Sequence, residues 1–379
     1  MKPFFYDVMM KHRPWVTELL ALSVTHLRNH GIKSIRSCDD EPLQTHFLRY
    51  VHRALPPLEK LLGPVISPEY RARIDELIQS RPTLMTAVQA LEMEYTALIN
   101  FELSGRKVFH LDGALVDKLV VTEADAPSEL LRLPFPSCFF VVDYPPFLDL
   151  YESITNSEKL SRETPVSVNL TEFEDSDGLH VASFVSRRDY KTFENPAYLD
   201  RSWLISPGKK VEDALRTEWP VDVTDPSAEN EDNLEFLSHG HLTFFRTIAN
   251  SILYLSSATA DLAFEKSPLI AEIEKLRAAS RRWKKQAKQH ISHTRAQYSR
   301  LDYTHVGGKI AVAPFRPFLM GDGIEGLRRV LIKRLLVRGH WRNQPYGPQS
   351  TLRKLIFVEP YWRGPELADE INKPYEVKL

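Results

Sequence analysis

Hydrophobic positions change period along the chain, and the change divides it. From Pro14 to Asn29, Trp15, Leu19, Leu22 and Leu27 recur near helical spacing, and Gly31 follows as a stop. The same texture runs from Leu43 to Leu62, broken by Pro56-Pro57. It reopens at Ser67-Pro68, where a serine can cap and a proline suits the first turn, and again after Arg81-Pro82 into Thr83–Leu103. The first hundred residues therefore predict helices.

Beyond Pro127 the texture is that of strands. Three prolines surround Cys-Phe-Phe-Val-Val in LRLPFPSCFFVVDYPPF, a short buried strand between breakers. VSVNLTEFE and LHVASFVSRR flank Asp175-Ser176-Asp177-Gly178, a hairpin signal because Asp-Gly supplies positive φ. Both parities of the second arm carry apolar residues, which predicts cover on both faces. Residues 207–233, acidic and proline-bearing, read as a surface connection. Two long helices follow, from Glu231 to Ser256 and from Ser267-Pro268 to Arg300. The chain then returns to strands: KIAVAP, LIKRLLVRGHWRNQ and LRKLIFVEPYWRG.

Segregated helices and strands predict an α+β fold. Its parts are an N-terminal helical region, central antiparallel strands, two long helices and a C-terminal β-hairpin able to join the central sheet. The expected division is 1–126 as the helical region and 127–379 as an α+β domain.

With 379 residues the chain needs no staples, and Cys38 and Cys138, far apart and without ligand partners, read as reduced thiols. No signal peptide or apolar run of about 20 residues is present, so the expectation is a cytoplasmic protein without a membrane partner. The net charge of −1 hides a strong asymmetry. Residues 271–363 hold 20 Lys+Arg and 6 Asp+Glu, leaving the remainder near −15. A basic last third with Trp283 and Tyr298 interleaved can track a phosphate backbone, and Arg281, Arg282, Lys284 and Lys285 are its helical candidates. The same charge can instead meet an acidic protein, or a second copy of the chain, and a charge run on a helix is commonly a solvated face.

No phosphate loop, dinucleotide motif, zinc-protease motif or nucleophile elbow occurs. His239 with His241, and His290 with His293, lack completing ligands, and no metal or cofactor is expected. Asp143, Asp149 and Glu152 are split by Pro145-Pro146.

The informative segment is VRGHWRNQPYGPQSTLRKLIFVEPYWRG, residues 337–364. Arg338, His340 and Arg342 alternate along one strand face, and Glu359, Tyr361 and Arg363 share a parity on the next strand. If those faces coincide, three arginines, a histidine and a glutamate converge, with Tyr346 held between prolines above them. Arg338, Arg342, Tyr361 and Arg363 would bind phosphate. His340, Glu359 and Tyr346 would fill the catalytic roles of a metal-independent nuclease. The competing reading is a structural hairpin whose tryptophans are core and whose glutamate neutralises an arginine.

The pattern Arg338-Gly339-His340-Trp341-Arg342-x-Gln344-x-Tyr346-Gly347, followed by Glu359-Pro360-Tyr361-x-x-Gly364, resembles the C-terminal block of uncharacterised bacterial proteins carried on phages, plasmids and integrated elements. LRLPFPSCFF and the helix ending in Ser251–Ser256 are similar to parts of the same proteins. The resemblance implies a mobile-element or phage-related setting and carries no activity with it. Three functions stay open: RNA or DNA binding with or without cleavage, a toxin-like or defence-related protein regulator without catalysis, and nucleotide binding at the same anion site.

Overall fold

The computed structural model describes residues 1–55, 58, 73–74, 76–77, 80–155, 164–173, 178–185, 197–204, 208–217, 231–267, 269, 272, 275, 298–310, 334–337, 339–363 and 370–371. The chain is α+β and divides into two compact units, neither of them continuous in sequence. The first comprises residues 1–111, 133–205 and 263–305, and the second 112–132, 206–262 and 306–379. The expected division after residue 126 falls within the first segment of the second unit.

In the first unit, helices α1 (Phe5–His12), α2 (Val16–Asn29), α3 (Glu41–Ala54) and α4 (Pro82–Leu103) form the predicted N-terminal region. Strands β1 (Val108–Leu111), β2 (Ser137–Val142), β3 (Val166–Glu172), β4 (Gly178–Val185), β5 (Ala197–Leu204), β6 (Leu262–Glu265) and β7 (Tyr303–Val306) form a sheet in the order β5-β4-β3-β2-β1-β7-β6. The central strands β2 to β5 are antiparallel as expected, and β1 runs parallel to β2.

Both faces of this sheet are covered, which explains the mixed parity of the sequence. Phe139 and Val141 of β2 join the helical core, where Phe139 meets Phe101 edge-on with ring centres 4.8 Å apart. Phe184 of β4 stacks on Phe5 of α1 at 4.2 Å. On the opposite face, helix α6 (Pro145–Thr155) packs on β3, and its Tyr151 hydroxyl donates to the Ser183 carbonyl at 3.1 Å. Pro145 and Pro146 open this helix, as prolines can in a first turn.

The helical layer contains a buried ion pair. The Arg13 guanidinium donates to Glu94 Oε1 at 2.7 Å and to the Tyr50 hydroxyl at 3.0 Å. Cys38 and Cys138 are buried free thiols, and burial pushes the Cys38 thiol up to about 12.

The second unit is built on α8 (Glu231–Ser256), predicted from its apolar run. Phe244, Phe245, Ile248, Ala249, Ile252 and Leu253 are fully buried. The helix packs on α5 (Gly113–Val120) and on α7 (Val211–Thr217), where Arg246 holds Glu212 through Nε and Nη2 at 2.8 and 2.5 Å.

Strands β9 (His340–Tyr346) and β10 (Leu352–Val358) pair antiparallel as a two-stranded sheet of their own rather than joining the central one. Strands β8 (Arg334–Val337), β11 (Tyr361–Arg363) and β12 (Glu370–Ile371) form a separate three-stranded sheet. Most of the second long helix expected after Ser267, and the KIAVAP strand beyond Ile310, lie outside the described residues. No helix among the described residues is long and apolar enough to cross a membrane.

Candidate functional site: an anchored basic hairpin

The base of the β9–β10 hairpin is fixed by one asparagine. Asn250 lies in the apolar face of α8 and is fully buried. Its Nδ2 donates to the carbonyls of Leu119 and Thr122 at 3.1 and 2.9 Å. These carbonyls end α5 and its following turn, where a helix leaves acceptors without partners. Its Oδ1 accepts the indole N–H of Trp341 at 2.8 Å. A buried amide is favourable only when its groups are satisfied, and here donor and acceptor both are.

Trp341 then fills the core of the second unit. Its ring centre lies 5.0 Å from that of Phe357, which meets Tyr254 edge-on at 5.7 Å. The backbone N–H of Trp341 donates to Asp125 Oδ1 at 3.2 Å, and the N–H of Glu123 donates to the Gly339 carbonyl at 3.3 Å. The Phe357 N–H donates to Thr259 Oγ1 at 3.3 Å, and the Ala258 N–H to the Leu355 carbonyl at 2.9 Å.

Gly339 is required by crowding. A Cβ there would clash with Thr122 Oγ1 and would lie 3.1 Å from Pro360 Cδ. Thr122 in turn donates to the Lys118 carbonyl at 2.7 Å.

The register decides which side chains share a face. His340 stands opposite Val358, Arg342 opposite Ile356, Gln344 opposite Lys354, and Tyr346 opposite Leu352. Directly opposed residues project to the same side. One face therefore carries His340, Arg342, Gln344, Tyr346 and Lys354, and the other carries the buried Trp341, Leu355 and Phe357.

Arg342 is exposed, His340 is half-buried, and Tyr346 is 43% exposed at the far end. The Lys354 ammonium lies 5.5 Å from the Tyr346 ring centre. Residues 340–358 contain Arg342, Arg353 and Lys354 and no Asp or Glu. Pro345 sits in β9 opposite Arg353, and a proline there blunts the strand's outer edge against further pairing.

Among the described residues, the convergence expected of the two strands does not form. Even-numbered residues of β9 face even-numbered residues of β10, so odd-numbered Glu359 has the opposite parity to His340 and Arg342. β10 ends at Val358, and Glu359 forms an ion pair with Lys118 of α5, whose side chain is buried while that of Glu359 is half-exposed. Tyr361, 50% exposed, stands opposite Val337, and Arg363 opposite Leu335, both in the three-stranded sheet.

Arg338, Arg281, Arg282, Lys284 and Lys285 lie outside the described residues, as do His290 and His293. Asn250, Lys118, Thr122 and Asp125 had no signature in sequence. The one usable hint was a lone lysine in the apolar helix GALVDKLV, which must find a carboxylate if it is buried.

Among the described residues no group of three His, Cys, Asp or Glu side chains is placed to hold a metal ion.

Residues 337–365 match a family model described as AcrVA2-like, the anti-CRISPR type V subtype A2 family. The match coincides with the hairpin, its Gly339 contact and the Glu359 ion pair. No curated protein matches the chain. The likeness fits a protein of phage or mobile-element origin in a defence setting.

Proposed function

We propose that the protein is a phage- or mobile-element-borne binding protein that works in a defence setting by applying the open face of its β9–β10 hairpin to nucleic acid. The observation that carries this reading is the anchored, acid-free hairpin. Its base is locked by Trp341 and Asn250, while Arg342 and Lys354 share the open face with an exposed Tyr346, and residues 340–358 hold no Asp or Glu. Cations supply affinity for phosphates, and an exposed tyrosine offers a stacking surface to an unpaired base.

The reading is one of binding rather than cleavage. The glutamate that would complete a proton-transfer pair with His340 is engaged by Lys118. The likeness of residues 337–365 to an anti-CRISPR family supports a target within a defence nucleoprotein complex.

Mobility-shift titrations of the full chain with single- and double-stranded RNA and DNA test the proposal. Binding at low salt without loss of substrate length is expected. No retardation of any nucleic acid would end it.

A second reading is favoured by Leu352, 49% exposed beside Tyr346 on the same face. An apolar side chain among cations also suits an acidic protein surface. On that reading the chain forms a stable complex with a protein partner and leaves nucleic acid unbound.

A further inference from the structure

The seven-stranded sheet ends at β6. Leu262, Ala263, Phe264 and Glu265 of this strand are all exposed, and so is Lys266 after them. Phe264 is 67% exposed and Leu262 46%, although such side chains in a strand ordinarily pack on a neighbour.

One side of β6 pairs with β7, and no strand among the described residues lies along the other. An open edge of this kind is a template for a further strand, and proteins commonly guard it with a proline, a bulge or an inward charge. Pro345 guards the outer edge of β9, but residues 262–266 hold no proline.

The chemistry of the strand selects its partner. Glu265 and Lys266 cancel in charge, so the edge gives no preference for an acidic or a basic peptide. It is instead complementary to itself. Two copies related by a two-fold axis normal to the sheet pair antiparallel. Each side chain then keeps its face, so the axis must pass beside a residue that meets its own copy.

Three of the four possible centres fail. Centring on Leu262 or Ala263 brings Asp261 into the ladder. Its N–H already donates to the Tyr254 hydroxyl at 3.1 Å, and its carbonyl accepts the Gly307 N–H at 2.9 Å. Centring on Glu265 sets two like charges face to face, which is destabilising. Centring on Phe264 opposes it to the partner's Phe264, Leu262 to the partner's Lys266, and Ala263 to the partner's Glu265. No like charges meet, and two phenylalanines and two leucines form one apolar row on a single face.

We infer that β6 is a dimerisation edge, pairing antiparallel with β6 of a second copy about Phe264 so that one sheet runs through both protomers. The pairing is short, and interfaces below about 1,200 Å² are weak, so a Kd of roughly 10–100 µM is expected. The edge acts whether or not the hairpin binds nucleic acid.

The test is disulfide trapping and sedimentation equilibrium on the full chain. Cys38 and Cys138 are buried and do not compete. Directly opposed residues of antiparallel strands have Cα atoms about 4.5–5.5 Å apart, within disulfide reach. Phe264→Cys should therefore cross-link into a dimer under mild oxidation. Leu262→Cys should not, because its own copy lies four residues along the ladder, about 14 Å away. Mixing Ala263→Cys with Glu265→Cys protein, which keeps Phe264 in place, should give the mixed dimer in preference to either homodimer.

In sedimentation, wild type should dimerise as its concentration rises. Phe264→Lys, at an exposed position where folding is not at stake, should weaken association about tenfold or more. Cross-linking of Leu262→Cys as readily as Phe264→Cys, a wild type still monomeric at about 1 mM, or a dimer that Phe264→Lys leaves intact would overturn the inference.

Discussion

The indole N–H of Trp341 and the side-chain oxygen of Asn250 meet at 2.8 Å inside the second unit, and the amide end of the same asparagine caps the carbonyls of Leu119 and Thr122. Truncating Asn250 removes three hydrogen bonds and leaves a buried donor and two buried acceptors. Asn250→Ala should destabilise by about 2–4 kcal/mol, at the upper end of what unpaired buried groups cost. Trp341→Phe keeps an aromatic ring and loses one bond, so it should cost less. Urea unfolding of both variants checks the order, and equal midpoints with wild type would show that the asparagine is not the hub.

Gly339 makes a second, steric prediction. Gly339→Ala drives a methyl into Thr122 Oγ1 and should cost about 1–3 kcal/mol, the range for overpacking. Thr122→Ala is mildly destabilising on its own and should relieve part of that penalty in the double variant. A double-mutant cycle by denaturant unfolding reads this coupling, and strict additivity would mean that the two sites do not touch.

The ion pair between Lys118 and Glu359 is asymmetric, a buried ammonium tied to a half-exposed carboxylate. Glu359→Gln strands the ammonium and should lower stability by about 1–2 kcal/mol, less than for a fully buried pair because water reaches the glutamate. Lys118→Met combined with Glu359→Gln should recover most of that loss. If Glu359 instead served proton transfer with His340, its replacement would abolish an activity without moving the unfolding midpoint.

Burial pushes the Glu94 carboxyl up to about 7 from its ordinary 4.5, outweighing the opposing pull of the Arg13 guanidinium. The folded protein therefore holds this proton over a pH range in which the unfolded chain has released it. That contribution to stability is complete below pH 4.5 and is lost as pH rises towards 7. Stability from urea unfolding should fall across this interval, and Glu94→Gln should flatten the slope. A slope unchanged by Glu94→Gln would assign the effect to another group.

Much of the fold is written in local pattern. The spacing of Leu19 and Leu27 ends in a helix at Asn29, and Arg81-Pro82 opens one that runs to Leu103. The paired β3 and β4 strands flank the predicted Asp-Gly turn in the register Glu172–Leu179. Alternation also placed His340 and Arg342 together. It could not say which face of β10 meets them, because a shift of one residue exchanges every side chain.

Here the register sets them opposite Ile356 and Val358, and the strand stops before Glu359. The partners that define the hairpin base lie about 90 to 240 residues away in Asn250 and Lys118. Tertiary pairing of that range has no periodicity to betray it.

The central claim is that the hairpin's open face binds nucleic acid through its cations. The most direct measurement is the salt dependence of binding to a single-stranded oligonucleotide, for wild type and for Arg342→Glu with Lys354→Glu. Both positions leave the Trp341 anchor untouched. The account predicts that log K falls with log salt in wild type and that the variant's slope is shallower by about 1.4 or more, with weaker binding throughout. Identical slopes and affinities for the two proteins would contradict it.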